Sequence, residues 1–539
     1  MKPSRIAVSI VSVLACALTL VQCSRSGSRM ATVPHVLRFA DVSDPDRLNP
    51  YMSTMDLVYD LSSMIYSYLI LADDKGNLTG DLATEVPTLA NRGISSDGKT
   101  YIYHLRRGVV WHDGAPLTAQ DVRFSWQAVV NPNNNTLHRE GYDEVASIDT
   151  PDRDTVVVHL KRRYPPFVTR FFTPLQEGGK GILPAHLLAH YASINTVPFN
   201  AAPIGSGPFQ FVRWERAHEI VLARNPRYFK GTPRLQKIEF FVIPNDQTML
   251  NELRLHHIDL ITSPTTTLRN DYRNSPGVMA ELTPWNAQSL FIINNSRPGL
   301  SDVRVRRALT MAIDYDAIIA KVTHGVGERA YDIVPPTAIG YTKNPPYQYD
   351  PRGAQAALEA AGYRRGPDGV RARGKVRLDY TLAIISGSTS QQLAAVQLQQ
   401  YLRAIGIGLA LKPYEYNAIF VPTGPIYGNR YDFAIYSVTL PWDPDNLFYL
   451  GCAFFYPKGE NVYRYCDRTV DDLEKRGLQT DDPAKRAAIY HQAERRIWQT
   501  VPYIPLYQLR RDNVYSAGLQ NFKASPGSTP WYNIWQWDI

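Results

Sequence analysis

The chain is predicted to fold as an α/β protein with α+β portions. Three observations carry this. Val376, Leu378, Tyr380, Leu382 and Ile384 alternate with mostly polar neighbours, as a half-buried strand requires. Leu393, Val396, Leu402 and Ile405 follow at mostly helical spacing, Gly406 ends that helix, and Ile407 to Leu411 reads as a second strand, which completes a β-α-β unit. Asp350-Pro351 and Asp482-Pro483 each place an N-cap before a proline at the first position of an alanine-rich helix.

The length of 539 residues fits about three or four domain-sized units. Hydrophobic residues make up 44% and charged residues 20%, which excludes global disorder and supplies a sizeable core. Lys plus Arg is 58 and Asp plus Glu is 50, a net charge of +8. That charge is spread thinly, with no block of like charges, so a nucleic-acid or membrane-surface role has little support.

The N-terminus reads as a targeting segment. Lys2 and Arg5 precede an uncharged apolar run from Ile6 to Val21, too short to span a bilayer comfortably and placed as a signal peptide over residues 1–22. Leu20-Val21-Gln22-Cys23 resembles a bacterial lipobox, which makes Cys23 the expected lipidation site. Gln22 departs from the usual small residue, Val13-Leu14-Ala15-Cys16 is a rival, and ordinary cleavage without lipid is the alternative. Residues 23–33 then form a tether. The expected location is exported, periplasmic or on the outer face of the cell membrane, with membrane contact only through a lipid anchor.

Further along, Tyr101 to Leu105 is strand-like and Asp113-Gly114 marks a turn. Thr118 and Asp121 match the start of a helix as N-cap and N3. Cys452 and Cys466 remain after the leader; export favours a disulfide between them, and two free thiols are the alternative.

Catalytic and metal motifs are incomplete. His218-Glu219 begins like a zinc-protease helix, but Leu222 stands where the second His belongs. Gly205-Ser206-Gly207 lacks the spacing of a nucleophile elbow, and Gly325-Val326-Gly327 is too short for a dinucleotide loop. His186 and His190 have a helical metal spacing without a third ligand. No enzyme activity, cofactor or metal is therefore expected.

Several stretches in order resemble the family 5 solute-binding proteins of bacterial ABC importers, the dipeptide, oligopeptide and nickel receptors. They are Asp44 to Pro50, Ser96 to Tyr101, His112 to Val122, Ile182 to Leu188, Gly205 to Phe209 with Trp214, Asn225 to Tyr228, Ser301 to Leu309 with Ala312-Ile313-Asp314, and Val501 to Tyr507. The resemblance covers nearly the whole mature chain. The motifs also have structural readings: Gly205 and Gly207 as tight turns, Asp302 as a helix cap, and Arg304, Arg306 and Arg307 as mostly solvated.

This resemblance implies a two-lobed periplasmic-binding-protein-like fold (type II, cluster C-like) with a hinge. Lobe I is expected at 34–70, 203–290 and 505–539, an accessory domain at 71–202, and lobe II at 291–504. It further implies a monomeric receptor that captures a peptide-class solute by hinge closure and delivers it to an inner-membrane permease and its ATPase. An oligosaccharide or other solute is the runner-up, and an exported hydrolase the rival class. A Cys452–Cys466 bridge near the cleft agrees with a similarly spaced pair in dipeptide-type receptors.

The ligand residues depart from the family pattern. The position three before Asp443-Pro444, where peptide receptors carry an Asp for the ligand amine, is Leu440. The stretch Ile385 to Ser390 lacks the Arg that holds a dipeptide carboxylate. Asp443 and Asp445 are the expected substitutes for the amine, with helix capping as their alternative, and Tyr436 and Trp442 the expected pocket walls. Free dipeptides are expected to bind weakly, and a longer, blocked or modified peptide to fit best.

Overall fold

The computed structural model describes residues 34–539 except 54, 176–178, 263, 265, 337, 441 and 526–528, and omits the side chains of 416 and 417. The signal peptide, Cys23 and the tether lie outside the described residues. Among those residues no helix is long and apolar enough to cross a membrane.

A ten-stranded mixed sheet organises the molecule. In chain order its strands are β1 (Val36–Asp41), β2 (Phe209–Glu215), β3 (Glu219–Arg224), β4 (Lys237–Val242), β5 (Leu260–Ile261), β6 (Val278–Ile293), β7 (Asp379–Ile385), β8 (Gly408–Tyr414), β9 (Phe433–Thr439) and β10 (Tyr503–Ser516). The spatial order is β8-β7-β9-β6-β10-β5-β1-β4-β3-β2. The long strands β6 and β10 pair antiparallel in the middle, with register shifts at Pro284/Ala287 and Ser289/Leu290. The strands on one side of this pair come from the early sequence and those on the other from residues 379–439. Two chain crossings thus join two halves, and the shifts locally bend and twist the connection.

The principal helices are α1 (Asp56–Ile65), α2 (Ala119–Val130), α3 (Val303–Ala312), α4 (Pro351–Ala360), α5 (Thr389–Ala404), α6 (Leu447–Leu450), α7 (Arg468–Gly477) and α8 (Pro483–Thr500). Their starts follow local chemistry. Asp350 accepts from the Gly353 N–H at 2.8 Å and Asp482 from the Lys485 N–H at 2.9 Å, each ahead of a proline at the first turn. Asp121 accepts from the Thr118 N–H at 2.8 Å, the return half of a capping box. Asp302 caps α3 through the Arg304 N–H at 3.0 Å.

The β-α-β unit forms as expected: β7 and β8 pair parallel, with α5 between them in sequence. Leu378, Tyr380, Leu382 and Ile384 are buried on one face. The helix turns differently from its predicted face. Ala394, Ala395, Leu398 and Leu402 are buried, whereas Leu393 and Val396 are 40% and 45% exposed. Small alanines let α5 sit close to the sheet, and that contact outweighs the larger apolar residues beside them.

One other expectation changes. Arg306 is buried, not solvated; its guanidinium donates to the carbonyls of Leu300, Thr500 and Val501 and ties α3 to the end of α8. Gly205 and Gly207, read as tight turns, also serve close approach. A Cβ on Gly205 would stand 1.8 Å from the Ile65 carbonyl oxygen, and one on Gly207 2.7 Å from it.

The apolar cores follow the two halves. Phe291, Leu309, Leu382, Leu398 and Phe433 share one cluster, and a neighbouring cluster holds Leu290, Ile419, Leu450 and Tyr503. On the other side, residues from 71–202 do not close a core of their own. Tyr101, Trp111 and Phe167 belong to one continuous cluster with Leu37, Phe39, Phe240 and Trp537. Leu447 and Leu478 join that cluster from the opposite half.

Candidate functional site

A cavity of about 390 Å³ opens beside the crossing strands, within the range of sites for small ligands. Trp285 and Ala287 on β6 and Leu509 on β10 form its base, Asp56 at the start of α1 borders it from the first half, and β9 and the loop around Glu460 border it from the second. Aromatic rings dominate the wall: Phe420, Tyr427, Tyr436, Tyr463 and Tyr503. Phe420 meets Tyr436 edge-on at 5.3 Å, which fixes the Tyr436 ring.

The strand β9 has an open edge along this cavity. It pairs with β6 over Phe433 to Thr439, but its pairing with β7 stops at Ala434. Tyr436 to Thr439 line the cavity, and among the described residues no strand pairs with them opposite β6. Half of the backbone groups there point away from β6 and are available to an extended chain.

Of the four expected ligand residues, Tyr436 lines the cavity and Trp442 is half-buried outside its wall. Asp443 and Asp445 are elsewhere. Asp443 forms a bidentate pair with Arg486 of α8, at 2.7 and 2.8 Å, with both side chains 5% exposed. It also accepts from the Asp445 N–H at 3.1 Å. Asp445 accepts from the Leu447 N–H at 3.0 Å at the start of α6. Burial raises the Asp445 carboxyl, and Arg170, from segment 71–202, is the main positive charge opposing that rise. Asp445 thus takes the helix-capping role that was its alternative, while Asp443 is engaged by Arg486.

The acids that face the cavity are Asp56 and Glu460. The cleft walls strip water from both carboxyls and raise them; Asp41 adds to the rise at Asp56, where Arg511 opposes it, and Glu140 adds to it at Glu460. Asp60, one turn after Asp56, is pushed up to about 7 by burial, against the nearby Arg511. Arg511 lies over the Trp285 ring at 5.2 Å. Sequence reading missed Asp56, because an acid in a first helical turn looks like a favourable dipole partner. Glu460 sits between Cys452 and Cys466, but nothing in its spacing marks the side chain.

Cys452 and Cys466 are joined by a disulfide, with Cα atoms 4.6 Å apart. The closed loop carries Glu460, Val462 and Tyr463 to the cavity. Asn461 braces its interior by donating to the carbonyls of Gly451 and Tyr465.

The histidines find structural partners. His186 pairs with Asp113 at 2.8 Å, and the His190 ring lies tilted against Tyr191. Glu215, His218 and Glu219 gather at a surface hairpin, where Glu219 is already engaged by Arg213.

Two sheet halves joined by two crossing strands, with a cavity at the crossing, define a hinged binding protein. The chain belongs to the bacterial extracellular solute-binding proteins of family 5, whose signature matches residues 78–455. That family consists of binding proteins, not enzymes. The chain is 28% identical to the oligopeptide-binding protein AppA of Bacillus subtilis, over 100% of this chain and 99% of that one. The solved AppA structure, in complex with a nonapeptide, superposes with a TM-score of 0.77 at 26% identity, covering 93% of this chain and 98% of AppA. NikZ of Campylobacter jejuni, in complex with Ni(L-His), gives a TM-score of 0.78 at 25% identity, over 94% and 99% of the two chains. The fold is thus the two-lobed periplasmic-binding-protein type.

Proposed function

We propose that this chain is the exported receptor of an ABC importer, capturing a peptide-class solute in the hinge cavity and delivering it to a membrane permease and its ATPase. The carrying observation is the open edge of β9 along the cavity. An extended peptide added there gains main-chain hydrogen bonds, the mode of strand addition, while Tyr436 and its aromatic neighbours receive side chains. Relatives named as oligopeptide- and di/tripeptide-binding proteins support the same class.

Lobe I would comprise 34–70, 203–290 and 505–539, with 71–202 as the accessory segment and 291–504 as lobe II. The separate core built mainly from residues 291–435 supports lobe II, while 71–202 shares its core with lobe I. Export through residues 1–22 and anchoring through Cys23 complete the reading, and the protein acts as a monomer. Tyr436 and Trp442 are assigned to the ligand side of lobe II. The ring-lined wall favours a second reading, a sugar stacked on Tyr463, Tyr503 and Trp285.

Native mass spectrometry of the protein isolated from its own envelope tests both. A receptor releases a bound peptide on denaturation, and adding that peptide back raises the melting temperature without product formation. Release of a glycan selects the second reading. Turnover of the added solute would overturn both.

A further inference from the structure

The chain as a whole is basic, 58 Lys plus Arg against 50 Asp plus Glu, yet its hinge cavity is not. Among the described residues that line it, the charged side chains are Asp56 and Glu460, and no Lys, Arg or His is present. Neither carboxylate has an ion-pair or hydrogen-bond partner among the described residues. Arg511, the base near Asp56, is placed over Trp285 and lies in the field of Asp60 as well. The two acids also come from opposite sides of the crossing: Asp56 from α1 of the first half, Glu460 from the disulfide-closed loop of the second. A first-turn helix position accounts for Asp56 alone. It does not account for Glu460, which lies outside any helix.

A carboxylate enclosed on hinge closure without a counter-charge is unfavourable, and a cation on the ligand removes that cost. Tyrosine and tryptophan faces add attraction for the same cation. A ligand carboxylate, by contrast, would meet two like charges and no donor base. We propose that the cavity selects cationic ligands, engaging positive groups with Asp56 from one lobe and Glu460 from the other and excluding free carboxylates. The inference rests on the peptide-receptor reading and narrows it to peptides rich in Lys or Arg, or bearing a free amino end, whose carboxyl end is blocked or lies outside the cavity.

Calorimetry on the full exported chain tests this with three probes: acetyl-Lys-Tyr-Lys amide, acetyl-Ala-Tyr-Ala amide and acetyl-Glu-Tyr-Glu. The dicationic probe should bind at least about tenfold more tightly than the acidic one. Asp56→Asn and Glu460→Gln should each weaken the dicationic probe by about tenfold while leaving the neutral probe and the melting temperature little changed. Both substitutions keep side-chain size and break no ion pair or hydrogen bond among the described residues, so folding should be preserved. Equal or tighter binding of the neutral or acidic probe, or variants that bind the dicationic probe like the parent, would overturn charge selection and leave the receptor reading standing. Failure of all three probes, together with no peptide released from the native protein, would overturn both.

Discussion

Two acidic sites of this molecule make an instructive contrast. The Asp443-Pro444-Asp445 turn is buried, and Asp443 is matched by Arg486 while Arg170 opposes the charge of Asp445. The hinge cavity presents Asp56 and Glu460, neither carboxylate with an ion-pair or hydrogen-bond partner among the described residues. The first pair stands in a proline turn that looks like a ligand site, and the second stands in ordinary sequence. A carboxylate whose hydrogen bonds are filled from within the chain has little left to offer a solute. A carboxylate left unpaired in a basic protein is the one available for recognition.

The contrast breaks most visibly at Asp443. Asp443→Ala strands the Arg486 guanidinium, 5% exposed, without its bidentate partner. Loss of one member of a buried pair costs about 3–5 kcal/mol. Urea denaturation should show a large drop in the unfolding midpoint, and any loss of ligand binding should track unfolding. A stable Asp443→Ala protein that had lost only ligand affinity would return Asp443 to the binding site.

How far the sequence anticipated this depends on the range of each interaction. The capping of α2, α4 and α8 was legible, because cap and recipient lie three residues apart. The β7-α5-β8 unit was legible from its periodicity. The partners of Asp443 and Arg306 were not, since they lie 43 and about 195 residues away, at separations that no local pattern encodes. The same holds for the cavity. Asp56 and Glu460 meet only because β6 and β10 cross, so neither position carried a mark in its own neighbourhood. Leu393 and Val396 show the reverse case, in which local spacing pointed to a core that alanine packing placed elsewhere.

A second buried group extends the comparison through pH. Glu474 and Glu494 are fully buried, and Asn446 donates to both, from its backbone N–H at 3.1 Å and its side chain at 3.2 Å. Burial raises both carboxyls well above their ordinary range; Asp332 adds to the rise at Glu494, and Asp332 itself is pushed up to about 7 by burial. Between the ordinary carboxylate range and these raised values the folded state holds more protons than the unfolded chain. Stability therefore falls as pH rises through neutrality. Glu494→Gln keeps the acceptor for Asn446 and removes the titrating proton. Its melting temperature should lie close to the parent's near pH 5 and exceed it increasingly as the pH is raised toward 8. Identical pH profiles for the two proteins would mean that Glu494 is ionised without cost.

The smallest effect lies where segment 71–202 touches the proposed lobe II. Arg163 pairs with Asp481 at 3.0 Å and also donates to the carbonyls of Ser96, Asp97 and Gln479. The Asp481 and Gln479 contacts cross between the halves, alongside Leu447 and Leu478 in the shared apolar cluster. The guanidinium is 35% exposed, so solvent screens the pair and its worth is about 0.2–1 kcal/mol. Arg163→Ala should scarcely move the melting temperature. Yet a contact that forms only when the halves are together biases the hinge by its full value, which is an about 1.4- to 5-fold change in the ratio of closed to open forms. Ligand dissociation should accelerate by that factor, and small-angle scattering of the unliganded protein should shift toward the open form. An unchanged dissociation rate would place the Arg163 contact in both hinge states, leaving Arg170 and the Leu447–Leu478 packing to hold the halves together.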